Sequence, residues 1–162
     1  MGAVPIDFAD VRVALRDTSA QAMALLRSLD HTAVAVPGSV WTVGEVAAHL
    51  ATDVGINADA AAGIPFDIDM PAEARTAERM ASLNSRAIAT VSERDSGVLA
   101  EMVEESVARF LAATQGRSGG ERLATPWYGD AVVLDLDAAA CVVRASWSFM
   151  DMTSLMRWAD DG

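Results

Sequence analysis

The stretch Trp41-Thr42-Val43-Gly44-Glu45-Val46-Ala47-Ala48-His49-Leu50 most constrains what this chain can fold into, because it spells out the start of a helix. Thr42 stands where an N-cap residue belongs. Glu45, three residues later, completes a capping box, in which each side chain meets an orphan backbone N–H at the other's position. Trp41 before the cap and Val46 at the fourth helical position can close a hydrophobic staple. The helix so begun carries His49 near the end of its second turn, with Asp53 four residues further on the same face. Spacing of this kind does not by itself separate a functional histidine from one packed in the core and bonded to a backbone carbonyl.

The remaining apolar pattern is helical almost throughout. From Asp7 to about Asp30, Phe8, Val11, Leu15, Ala22, Leu25 and Leu29 recur at threes and fours, with Thr18 filling the open slot and Arg12, Arg16 and Arg27 lying off the stripe. The loop from His31 to Val40 holds Pro37 and Gly38, and His31 reads as an exposed loop histidine. The central helix runs from Val43 to about Ala62 and stops near Gly63. Past a linker with two prolines, Ala72 to Arg94 is a weakly amphipathic helix whose apolar side is Met80, Ala87, Ile88 and Val91. Asp95-Ser96-Gly97 ends it, and Val98 to Thr114 is strongly periodic through Leu99, Met102, Val103, Val107, Phe110 and Leu111. A long glycine-bearing connection from Gln115 to Asp130 follows. Val132-Val133-Leu134 can pass for a short strand but has no evident partner, and Asp135 or Asp137 can cap a last helix reaching about Trp158. Glycine and proline fall between the helices, as an all-α bundle requires.

Composition narrows the function classes. A chain of 162 residues, 52% of them hydrophobic, suits one domain, 1–162, with one core. The formal charge of −11 repels phosphate backbones and anionic lipid, which argues against nucleic-acid and membrane partners. Cys141 is the single cysteine, so no intrachain disulfide forms. The N-terminus lacks the basic and apolar regions of a signal peptide, and no apolar run approaches the ~20 residues of a membrane span. The expected compartment is the cytoplasm.

Pro37 followed by Trp41-Thr42-Val43 and Ala48-His49-Leu50 resembles the metal-binding domain of mycothiol-dependent maleylpyruvate isomerases, within the DinB-like superfamily of four-helix bundles. The resemblance spans nearly the whole chain, but only this first motif is intact. It implies an all-α DinB-like four-helix bundle with an extra helix between the second and third core helices. It also implies that His49 holds the first of three ligand positions for a divalent metal, zinc or nickel. The other two belong to a Glu-x-x-x-His-x-x-Asp pattern on the last helix. Aligned on Asp151, that pattern puts Arg144 at the glutamate and Ser148 at the histidine. Family members use the metal to bind and activate a low-molecular-weight thiol, since a metal lowers a thiol's pKa.

The departures matter chemically. Serine is a poor neutral ligand, and arginine is a fixed cation that repels a divalent ion at close range. Cys141, Arg144, Ser148 and Asp151 recur at threes and fours, so they share one stripe of the last helix. A His49–Asp53–Asp151 site is conceivable, with Asp130 as a further acid on the connection. Asp53 and Arg144 can instead form an internal ion pair, and Cys141 reads as a small buried hydrophobe. Trp127 and Tyr128, on the long connection, lie near the site mouth in the family and read as pocket rim, lid or partner contact. The sequence therefore supports a bundle with a degraded metal site, no cofactor, and a small molecule or protein as its partner. A homodimer is compatible with it. The alternative is a thiol-dependent isomerase or S-transferase that uses an altered divalent-metal site with a mycothiol-type thiol.

Overall fold

The computed structural model of the protein describes residues 7–37, 39–64, 77–118, 121–124 and 133–135. Helices dominate these residues: α1 (Phe8–Arg27), α2 (Val43–Ala61), α3 (Ala77–Thr90) and α4 (Ser96–Ala113). The all-α expectation holds at that level. The expected last helix, with Cys141, Arg144, Ser148, Asp151 and Trp158, lies outside the described residues, as do Trp127, Tyr128 and Asp130.

The start of α2 forms as its residues dictate. Thr42 has an extended backbone and its Oγ1 accepts from the Glu45 N–H at 3.3 Å, while the Thr42 N–H donates to the Glu45 carboxylate at 2.7 Å. The same exchange pulls the Glu45 pKa below the usual carboxylate range, the backbone bond from Thr42 being the largest cause. An antiparallel bridge between Ala35 and Thr42 delivers the chain to this cap. It is held by the Val36 N–H to the Trp41 carbonyl at 2.9 Å and the Val43 N–H to the Val34 carbonyl at 2.8 Å. The other end closes in a Schellman motif. The Ile64 N–H donates to Asp59 and the Gly63 N–H to Ala60, with Gly63 at φ +73°.

Three boundaries differ from the sequence reading. Helix α1 ends at Arg27, where the ladder tightens to three-residue bonds, from the Ser28 N–H to Leu25 and the Leu29 N–H to Leu26, and the Ser28 hydroxyl also donates to the Leu25 carbonyl. Leu29 still packs on the core, so the apolar period outlasts the helix. Within α1 the inward slot belongs to Ser19, whose hydroxyl bonds back to Leu15, rather than to half-buried Thr18. Helix α3 stops at Thr90, where its hydroxyl meets the Ala87 carbonyl and competes with the backbone ladder. Residues Ser96 and Gly97, read as a break, are instead the first turn of α4, because Asp95 caps it by accepting from the Val98 N–H at 3.0 Å.

A fourth difference is topological. The short apolar run near Val133 does have a partner: β1 (Arg122–Ala124) pairs antiparallel with β2 (Val133–Asp135), Leu123 opposite Leu134. A ladder this short leaves no alternating pattern to read.

Helix α4 packs on both α2 and α1, and α3 packs on α2. Leu15, Leu50, Val54, Leu99, Val103 and Phe110 are fully buried where these faces meet. The Ser106 hydroxyl donates to the Ala51 carbonyl at 3.0 Å across the α2–α4 contact, and a Cβ on Gly55 would sit 3.5 Å from that hydroxyl. The Ala51–Gly55 edge of α2 therefore faces α4. Among the described residues no helix is long and apolar enough to cross a membrane.

Candidate functional site

At 3.6 residues per turn, positions two apart on a helix point about 200° apart, so His49 and Asp53 sit on the side of α2 roughly opposite the edge that meets α4. That side carries polar groups in an otherwise alanine- and valine-rich helix. Asp53 is 8% exposed, and Asn57, one turn further, is 1% exposed. His49 is half-buried. The three residues recur every fourth position and so form one row along the helix.

The capping turn shapes the N-terminal end of this row. Trp41, held by the bridge before α2, packs half-buried against the core. Its ring lies 5.1 Å from the His49 ring, tilted by 56°. That separation and tilt lie in the range of favourable aromatic contact. Val46, the expected staple partner of Trp41, is buried in the core against which Trp41 packs.

Burial lowers the His49 pKa, and the Asp53 carboxylate opposes that shift without cancelling it. Burial therefore favours the neutral imidazole, in which one nitrogen can donate and the other accept. A neutral imidazole is also the form that binds metal. Asn57 donates from Nδ2 to the Asp53 carbonyl at 2.9 Å, which spends one of its two N–H groups within the helix. The row thus presents an imidazole, a carboxylate and a carboxamide in a shielded setting, where polar contacts count for more than in water.

Sequence reasoning brought His49 and Asp53 together correctly on one face of α2 and ended the row there. It missed Asn57. The available signal was the same four-residue step repeated once more, masked by the flanking Ile56 and Ala58, which read as plain helix interior. His31 is exposed in its loop, as expected. Arg144, Ser148 and Asp151, proposed to complete the cluster, and Trp127 and Tyr128, proposed as its rim, lie outside the described residues.

Among the described residues no three His, Cys, Asp or Glu side chains come together as a metal site. His49 and Asp53 offer two donors, one short of the three protein ligands of a catalytic zinc. No protein-family model, curated protein or solved structure matches the chain.

Proposed function

We propose that the chain is a divergent DinB-like bundle, akin to the maleylpyruvate isomerase metal-binding domain, whose metal site has become a polar cluster that binds a small ligand or a protein partner. The observation that carries this reading is the row on α2 of half-buried His49 with buried Asp53 and Asn57. Buried polar groups are costly unless matched, so a row of them implies a matching set of polar partners. The sequence supplies one candidate match. By the resemblance Arg144 stands at a ligand position, where the cation would need a counter-charge, for which we take Asp53 or Asp151. We assign Arg144 to an internal pair with one of them.

Melting experiments on the parent and Arg144→Ala test this. A fully buried internal pair makes Arg144→Ala lose roughly 3–5 kcal/mol, because a stranded carboxylate remains. Removing the acid as well should then recover part of the loss. If Arg144→Ala melts like the parent, while small carboxylates raise the melting temperature of the parent alone, the pair is wrong. The arginine fork, with Ser148 and His49 as extra donors, then binds a small anion.

A second reading keeps chemistry at the site: a thiol-dependent isomerase or S-transferase with an altered zinc or nickel site. The placement of His49 and Asp53, two metal-binding residue types, one turn apart on α2 favours it. The arginine and serine at the other two positions disfavour it.

A further inference from the structure

We draw no further inference here: the strongest candidate, the buried Asn57 side chain one turn beyond Asp53 on α2, belongs to the polar row already described, and no second observation shows what ligand it would meet.

Discussion

His49 carries a pH signature that its place in the fold dictates. Its folded pKa lies below the ordinary 6.5, with burial as the cause, so the unfolded chain takes up a proton more readily than the folded one. The resulting stability is fully present above pH 6.5. It is lost as pH falls from there through the folded value. Replacing His49 with Gln should flatten this part of the stability–pH curve measured by denaturant melts, and an unchanged slope would show that His49 is not held neutral by burial. Thr42 offers a second check, because its hydroxyl accepts the Glu45 N–H that opens the helix. Thr42→Ala should cost about 1 kcal/mol, and a silent substitution would displace the cap from its assigned place.

At the scale of elements, α2 is positioned as much by its entry as by its apolar face. The Gly44 N–H donates to the Thr32 carbonyl at 2.9 Å, and the Thr32 hydroxyl donates to the Arg94 carbonyl at 2.5 Å, so three segments meet at the first turn. A Cβ on Gly44 would fall 2.9 Å from the Thr32 hydroxyl oxygen and 3.0 Å from the Arg94 Cδ. Alanine would gain roughly 1 kcal/mol of helix propensity over glycine. Overpacking against an anchored neighbour costs typically 1–3 kcal/mol. We expect Gly44→Ala to be destabilising on balance; a variant that melts higher than the parent would mean that Thr32 gives way freely. The same logic of long-range anchoring applies to Arg12. It lies off the apolar stripe of α1, yet its guanidinium donates to the Leu111 carbonyl at 2.7 Å and the Thr114 hydroxyl at 2.8 Å, capping the end of α4. Arg12→Ala should cost on the order of 1–2 kcal/mol, the value of charge-assisted bonds that are only partly buried. Hydrogen exchange should show the loss first in the last turn of α4, and uniform loss across the protein would contradict a local cap.

Across the whole molecule, what the sequence revealed follows the range of the interaction that decides each feature. The capping box of Thr42 and Glu45 spans three residues, and the row from His49 to Asp53 spans four, so both are written locally. The stripe of α4 is legible for the same reason, since Leu99, Val103, Val107 and Phe110 are all buried at the expected spacing. The Arg12 cap and the Thr32–Arg94 bond join residues far apart in the chain, and even the nearer β1–β2 ladder and Thr32–Gly44 contact follow no local period. The identity of the site lies at this largest scale too, because a metal centre in a bundle draws its ligands from facing helices. We have proposed that α2 contributes a polar row to a binding face, with Arg144 and Ser148 standing where the resemblance implies metal ligands. Elemental analysis of the protein, purified without a metal-affinity tag, tests this most directly. On that proposal the protein carries less than about half an equivalent of zinc or nickel per chain, since one good ligand cannot hold the ion in competition. Stoichiometric metal that disappears in His49→Ala would contradict it.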